Sequence, residues 1–146
     1  MKTINFSISI NAPVEKVYKT MLEQDTYREW TTAFEPTSRY EGDWTPGSKI
    51  KFLSGSGTGG MYSEIAENKP NEFVSIRHLG MIKDGVIDTE SDEIKAWAPC
   101  YENYAFVNMG NGTEIKVDLV VPEEWEEMFN ESWPKALLKL KEICEK

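Results

Sequence analysis

The sequence predicts an α+β fold in which a curved antiparallel sheet of about seven strands wraps around a long C-terminal helix. Three observations support this prediction. Residues 3–10 alternate polar and apolar side chains, as expected of a strand with one buried face. Residues 37–121 continue as short segments of the same kind, separated by turn-forming residues. Residues 122–145 instead place their apolar side chains at helical spacing.

Length and charge limit the functions that the chain can have. The 146 residues favour one domain over 1–146 with one core, and the 40% of hydrophobic residues supply enough apolar surface to build it. Sixteen Lys and Arg against 25 Asp and Glu give a net charge of −9, and the basic residues do not cluster. Since such a chain is repelled by phosphate backbones, nucleic acid is not an expected partner.

Two short helices are predicted between the first strand and the rest of the sheet. Pro13 suits a first helical turn and Asn11 is placed to cap it, which predicts a helix over about residues 13–23. Asp25 is the expected N-cap of a second helix over about residues 25–34. The predicted order of elements is therefore strand, helix, helix, six strands, helix.

A meander of six strands follows the second helix. Turn-forming residues separate its strands, among them residues 68–71, the pair Asp84 and Gly85, and residues 110–112. Since strands joined by short turns pair antiparallel, these segments predict one continuous antiparallel sheet. The predicted strands cover about residues 37–41, 49–54, 61–67, 72–80, 100–108 and 113–121.

The last helix, over about residues 122–145, is the longest. Pro122 fits its first turn, glutamates follow, and lysines lie near its end, as the helix dipole favours. Pro134 is expected to bend it near the middle. Its apolar stripe must pack on the concave face of the sheet, which is the only apolar surface large enough. That stripe includes Trp125, Met128, Phe129, Trp133, Ala136, Leu137, Leu140 and Cys144.

This order of elements is the order of a helix-grip fold. Several segments with the right spacing strengthen the likeness: 8–18 (ISINAPVEKVY), Trp30, 41–48 (EGDWTPGS), 101–104 (YENY) and 133–137 (WPKAL). On these residues the chain resembles the START and birch-pollen-allergen (SRPBCC) superfamily over nearly its whole length. Within that superfamily it is similar to the bacterial branch of the activator-of-Hsp90-ATPase homologue domain.

The resemblance implies a cavity between the sheet and the C-terminal helix that holds a small hydrophobic or amphipathic molecule. Strand periodicity then predicts which side chains face it, because Val117 and Leu119 share a face with Tyr104 and Glu102 on the preceding strand. The same argument turns His78 inward with Ile76. The candidate cavity residues are Met61, Ile76, His78, Glu102, Tyr104, Phe106, Val117, Leu119, Phe129, Trp133 and Leu137.

His78 and Glu102 allow three interpretations. Each side chain is satisfied by tyrosine, backbone or water and closes the polar end of a mixed core, as most buried polar groups do. Alternatively, the pair contacts the polar head of a ligand. In the third interpretation the imidazole and the carboxylate act together as acid and base. No residue is assigned as catalytic at this point.

Composition excludes most metal and triad chemistry. His78 is the single histidine, whereas zinc sites need several His and Cys ligands. Asp88, Glu90 and Asp92 alternate like the start of a calcium loop, but that loop's sixth-position glycine and twelfth-position glutamate are missing, which favours a solvated acidic loop. We therefore expect no metal and no cofactor.

Two loops are placed to border the cavity. Gly55, Gly57 and Gly60 match the GxGxxG pattern of dinucleotide sites, but a strand-like segment follows where such sites need a helix. We therefore expect a hairpin loop at the cavity mouth. Trp44 and Trp97 lie in other loops, where they cap the entrance, mediate a partner contact or pack over the sheet edge.

Cysteine usage and hydropathy predict a cytoplasmic protein. Cys100 and Cys144 are far apart in the sequence, form no CxxC pattern and are expected to be buried, reduced thiols. Residues 1–6 lack the apolar run of a signal peptide, and no apolar run is long enough to insert in a membrane.

The predicted function is non-enzymatic binding of a small hydrophobic or amphipathic ligand. The alternative is a chaperone-interaction module, as the resemblance to the Hsp90-ATPase activator domain implies. A third hypothesis is a cyclase-like or hydrolase-like enzyme that uses His78 and Glu102. The sequence identifies neither the ligand nor the oligomeric state.

Overall fold

An eight-stranded antiparallel sheet forms the body of the protein in the computed structural model, which describes residues 1–55 and 57–146. Seven strands follow one another in the spatial order β1-β8-β7-β5-β4-β3-β2, and the short β6 pairs with β5. The strands are β1 (Lys2–Ile10), β2 (Arg39–Gly42), β3 (Lys49–Ser54), β4 (Gly59–Lys69), β5 (Phe73–Lys83), β6 (Val86–Asp88), β7 (Cys100–Asn108) and β8 (Thr113–Val121).

Four helices complete the described part of the chain. The helices α1 (Val14–Leu22) and α2 (Gln24–Trp30) connect β1 to β2, and α2 continues into a 3₁₀ turn over Thr31–Ala33. A single turn, α3 (Asp92–Lys95), precedes β7, and the long α4 (Glu123–Cys144) ends the fold. The predicted α+β fold, with a curved antiparallel sheet and a long C-terminal helix, is confirmed.

Two elements were not predicted. Asp84 and Gly85 have φ angles of 52° and 78°, so they form the expected tight turn, and this turn leads into β6. With three residues, β6 is too short to show an alternating pattern. The helix α3 is also only one turn long, and its N-terminus is capped by Ser91, whose side chain accepts a hydrogen bond from the Ile94 backbone N–H.

Both predicted N-caps are wrong. Pro13 is the N-cap residue of α1 and Glu23 that of α2, and neither side chain accepts a capping hydrogen bond. Because α2 begins before Asp25, that residue lies inside the first turn. Asn11 instead donates its backbone N–H to a carboxylate oxygen of Glu145 at 2.8 Å, which ties the end of β1 to the end of α4.

The core lies between the concave face of the sheet and α4. On β8, Ile115, Val117 and Leu119 are buried, as the alternation predicted. On α4 the buried side chains are those of Trp133, Ala136, Leu137, Leu140 and Cys144. Met128 is a correction, because 54% of it is exposed although it was placed in the apolar stripe. The stripe at the start of α4 is therefore narrower than predicted.

Both loop tryptophans make contacts within the protein. Trp44 donates its indole N–H to the Leu22 carbonyl oxygen at 3.1 Å, and Trp97 is buried with Ile94 and Cys100 in a small second cluster. Both cysteines are buried and unpaired, as expected. In the glycine loop, Ser56 lies outside the described residues. No described helix combines the length and apolarity needed to cross a bilayer.

Candidate functional site

A cavity of about 210 Å³ lies between the sheet and α4. We call it the sheet–helix cavity. It is partly open to solvent, and most of the side chains that line it are apolar. Aromatic rings dominate its wall and come from α2, the segment after it, β3, β7 and α4: Tyr27, Trp30, Phe34, Phe52, Tyr101, Tyr104, Trp125, Phe129 and Trp133.

Trp133 is the centre of the aromatic wall. Its ring lies 5.9 Å from Trp30, 5.0 Å from Phe34 and 6.0 Å from Tyr104, measured between ring centroids. These spacings and the tilted or edge-on orientations are those that aromatic pairs prefer. Since Trp133 is only 3% exposed, the helix α4 is fixed against α2 and the sheet at this point.

A hydrogen-bonded cluster of four side chains borders the cavity. His78 Nε2 lies 3.0 Å from Oε1 of Glu102, and His78 Nδ1 lies 2.7 Å from Oγ of Ser63. The phenol of Tyr104 donates to the other carboxylate oxygen, Oε2 of Glu102. His78, Glu102 and Tyr104 line the cavity, whereas Ser63 lies behind His78 and is fully buried.

Strand register brings these side chains together. Ser63 on β4 is directly opposite His78 on β5, and Glu102 on β7 is opposite Ile76. Because side chains two residues apart on a strand share a face, Glu102 is a diagonal neighbour of His78. The cluster therefore spans three adjacent strands, which hold it rigidly.

The charge of Glu102 affects the acidic groups around it. Burial raises the pKa of the Tyr104 phenol well above 10.0, and the Glu102 carboxylate raises it further. The pKa of Tyr27 is also raised, first by burial and then by Glu102. For the Cys100 thiol, burial and then Glu102 raise the pKa to about 12. These three groups therefore keep their protons near neutral pH.

A family model described as Activator of Hsp90 ATPase homolog 1-like protein matches residues 11–145. The chain belongs to this family. The resemblance predicted from segments such as 41–48 and 133–137 is thus confirmed. A search of curated proteins found no match to this chain.

Solved structures share the fold of this family member. The Aha1 dimer from Colwellia psychrerythraea is 22% identical with a TM-score of 0.74, covering 99% of this chain and 97% of that chain. Protein CV1439 from Chromobacterium violaceum is 19% identical with a TM-score of 0.70, covering 99% and 97%. DynU16, from the dynemicin biosynthetic locus, is 14% identical with a TM-score of 0.72, covering 97% and 46%. At these identities the likeness concerns the fold.

Seven of the predicted cavity residues line the cavity and four do not. Ile76, Phe106, Val117 and Leu137 are buried in the core but are not part of the cavity wall. These four side chains do lie on the inward faces of their strands and helix, as predicted. Periodicity, however, predicts only which face a side chain lies on, and not whether that part of the face borders the cavity. The residues on the wall are Met61, His78, Glu102, Tyr104, Leu119, Phe129 and Trp133.

Sequence reasoning missed the part of the wall that comes from α2 and the segment after it. Tyr27, Trp30 and Phe34 follow one another at spacings of three and four residues, which places them on one side of a helix. That pattern is the signal that could have found them. Cys100 was expected only as a buried thiol and also lies on the wall.

The cavity wall offers carboxylate acceptors, and the thiol on it is protonated near neutral pH. The Glu102 carboxylate accepts hydrogen bonds from His78 and from Tyr104. Its remaining lone pairs are the strongest hydrogen-bond acceptors on the cavity wall. The protonated thiol of Cys100 is a poor nucleophile, since the thiolate is the reactive form. Among the described residues, no three His, Cys, Asp or Glu side chains form a cluster suited to a metal ion.

Proposed function

We propose that this protein binds a small hydrophobic or amphipathic molecule in the sheet–helix cavity without transforming it. The observation that carries the proposal is the combination of a wall of aromatic rings with a few polar side chains. Specific ligand pockets are typically apolar with a few placed polar groups that orient the ligand. The side chains of His78, Glu102 and Tyr104 are those groups here.

The size of the cavity supports a small ligand. An engineered apolar cavity of about 150 Å³ is known to bind benzene. The sheet–helix cavity has about 210 Å³, which suits a substituted aromatic ring or a short alkyl chain. A full-length lipid exceeds this space.

Binding can be tested with a cavity-filling variant. In Leu119→Trp the larger ring occupies the cavity, because Leu119 lies on its wall and is 2% exposed. Leu138→Trp is the matched control, since Leu138 is 54% exposed on α4. We expect toluene, titrated by protein NMR, to shift wall resonances in the wild type and in L138W but not in L119W. Unshifted wild-type wall resonances at saturating toluene would refute the proposal.

Native mass spectrometry gives an independent readout that needs no variant. Protein purified without organic additives is expected to carry a small co-purifying mass that is lost on unfolding. The same measurement on L138W should retain that mass. Its identity would name the natural ligand.

A chaperone-interaction module is the second candidate, and family membership favours it. The family takes its description from an activator of the Hsp90 ATPase, and the neighbour from Colwellia psychrerythraea carries the name Aha1. If this chain acts in the same way, adding it to a purified Hsp90-type chaperone should raise the rate of ATP hydrolysis. An unchanged rate at saturating protein would remove this candidate.

An acid–base enzyme is the third candidate. It rests on the 3.0 Å contact between His78 Nε2 and Glu102 Oε1 at the cavity wall. Turnover of the co-purifying molecule by the wild type, lost in His78→Gln, would favour this candidate over simple binding. An unaltered mass after long incubation would exclude it.

A further inference from the structure

The charged groups on the cavity wall are unevenly distributed. Glu102 is the one Asp or Glu among the described residues that line the cavity, and Lys and Arg are absent from that set. His78 is the remaining ionisable base there. Its two ring nitrogens contact Ser63 and Glu102, and a neutral imidazole satisfies both contacts when the Ser63 hydroxyl donates to Nδ1 and the Nε2–H donates to Glu102. With the imidazole neutral, the Glu102 carboxylate is left without a cation among the described residues of the wall.

Neighbouring groups respond to this negative charge. The Glu102 carboxylate helps to raise the pKa values of Tyr27, Cys100 and Tyr104, which come from two separate elements of the wall. A charge that disfavours three nearby anions favours a cation in the same space. The effect is strong here because a cavity with apolar walls screens charge less than water does.

The carboxylate also has room for another donor. An ionised carboxylate offers about four lone-pair sites. Glu102 accepts one hydrogen bond on each oxygen, from His78 and from Tyr104. Its side chain is 20% exposed, although it stands beside nearly buried neighbours. A ligand donor that enters the cavity can therefore reach it.

The aromatic wall suits a cation as well. Trp30, Phe34 and Trp133 line the cavity and lie in mutual contact with their rings at steep or tilted angles. A ligand ammonium within about 6 Å of a ring face gains cation–π attraction. The hydrocarbon part of the same ligand is buried against the remaining rings.

We propose that the molecule held in the sheet–helix cavity is a hydrophobic amine, whose protonated nitrogen hydrogen-bonds to Glu102 while its apolar part lies against Trp30, Phe34 and Trp133. This inference rests on the proposed function, since it assumes that the cavity holds a ligand. It names the chemical class of that ligand as an arylalkyl or alkyl ammonium ion.

The test uses three probes with the same phenylethyl scaffold. They are 2-phenylethylamine, which is cationic at neutral pH, the neutral 2-phenylethanol, and the anionic 3-phenylpropionate. Protein NMR titrations are run at about 0.15 M salt, where general attraction to the acidic surface is screened within about 8 Å. We expect the amine to bind about tenfold or more tighter than the alcohol, and the carboxylate to bind weakest.

A matched pair of variants isolates the carboxylate. Glu102→Gln removes the charge but keeps the shape, and it should bring the amine and the alcohol to within about twofold of each other. Glu64→Gln removes the same charge from the opposite face of the sheet, where Glu64 pairs with Lys49 and its side chain is 26% exposed. This control should keep the preference for the amine.

The outcomes separate the two proposals. If the alcohol or the carboxylate binds wild-type protein as tightly as the amine, the ligand class is wrong while the cavity remains a binding site. If none of the three probes and no toluene binds, the proposed function fails and this inference fails with it. The order of affinities of the three probes for the wild-type protein tests the ligand class even if E102Q does not fold.

Discussion

His78 and Glu102 are joined across two strands by a hydrogen bond of 3.0 Å between Nε2 and Oε1. Their side chains are 10% and 20% exposed, so the bond sits at the boundary between the core and the cavity. Because Ser63 and Tyr104 extend it on either side, the pair is the middle of a network and not an isolated contact. Substitutions within this network should therefore have non-additive effects on the free energy of unfolding.

The first prediction concerns that coupling. His78→Ala removes a partner from both Ser63 and Glu102, and an unsatisfied buried polar group costs about 1–3 kcal/mol. We expect H78A and Glu102→Ala each to lower the free energy of unfolding in urea, and the double variant to cost less than their sum by about 0.5–3 kcal/mol.

An exposed ion pair supplies the comparison for this cycle. Lys49 and Glu64 lie on the other face with their charged atoms 2.7 Å apart, and their side chains are 49% and 26% exposed. Such a pair is worth about 0–1 kcal/mol, so the cycle of Lys49→Ala and Glu64→Ala should show less coupling. Strict additivity at the buried pair would contradict the network.

The second prediction concerns Trp133. Truncation of this ring to alanine removes contacts with four aromatic neighbours, among them Phe6 and Phe34, and opens the cavity. Trp→Ala changes in cores cost about 3–5 kcal/mol, and we expect W133A in this range by urea unfolding. Leu138→Ala, on the exposed side of α4, should change stability by about 0.5 kcal/mol or less. Equal effects of the two would show that Trp133 is not a core residue.

The sequence predicted the last two strands of the sheet and the helix starts closely, but not the capping residues. The predicted strands 100–108 and 113–121 match β7 and β8, because each strand has one face on the core and one toward solvent. The predicted helix starts lie within one residue of the observed ones, yet the caps Asn11 and Asp25 were wrong, since the extended residues that precede the helices are Pro13 and Glu23.

The candidate site was predictable in its polar part. The shared faces of β5 and β7 placed His78 and Glu102 on the same side of the sheet, and they lie within hydrogen-bond distance. Ser63 shares a face with Met61 by alternation, but its partner was not predicted, because the pairing of β4 with β5 shifts register between Tyr62 and Ser63 and leaves Leu79 of β5 unpaired. Such a bulge changes which residues lie opposite each other, and alternation along one strand does not reveal it.

The third prediction concerns alkaline pH. The folded pKa values of Tyr27 and Tyr104 lie above the ordinary 10.0, so above about pH 10 the unfolded chain has lost protons that the folded chain keeps. Unfolding then releases protons, and stability falls as the pH rises, whereas the contribution is fully present below pH 10. The slope of the urea unfolding free energy between about pH 9 and 11 should be reduced in Tyr27→Phe. Equal slopes in both proteins would oppose this assignment.

The fourth prediction concerns Gly60, near the start of β4. Gly60 has a φ angle of 146°, and a Cβ there would lie 1.9 Å from the Phe52 carbonyl oxygen on the neighbouring strand. Gly60→Ala should therefore cost more than the 1–3 kcal/mol or so of a strained backbone alone. At Gly110, φ is 86° but nothing lies within 4 Å, so Gly110→Ala carries only the backbone strain. In thermal unfolding, G60A should therefore have the lower melting temperature of the two variants. Similar melting temperatures would contradict the close approach of position 60 to the Phe52 carbonyl oxygen.

The fifth prediction concerns the two thiols. Cys100 and Cys144 are 3% and 1% exposed, and burial raises the pKa of both, that of Cys100 to about 12. Since the thiolate is the reactive form, both should resist a disulfide reagent at pH 8 in the native protein and react fully in denaturant. A cavity ligand that covers Cys100 should slow its native reaction further, while Cys144, which does not line the cavity, provides the internal control. Rapid labelling of Cys100 in the native state would instead mean that the cavity wall opens often, and it would remove the argument that this thiol stays protonated and inert beside Glu102.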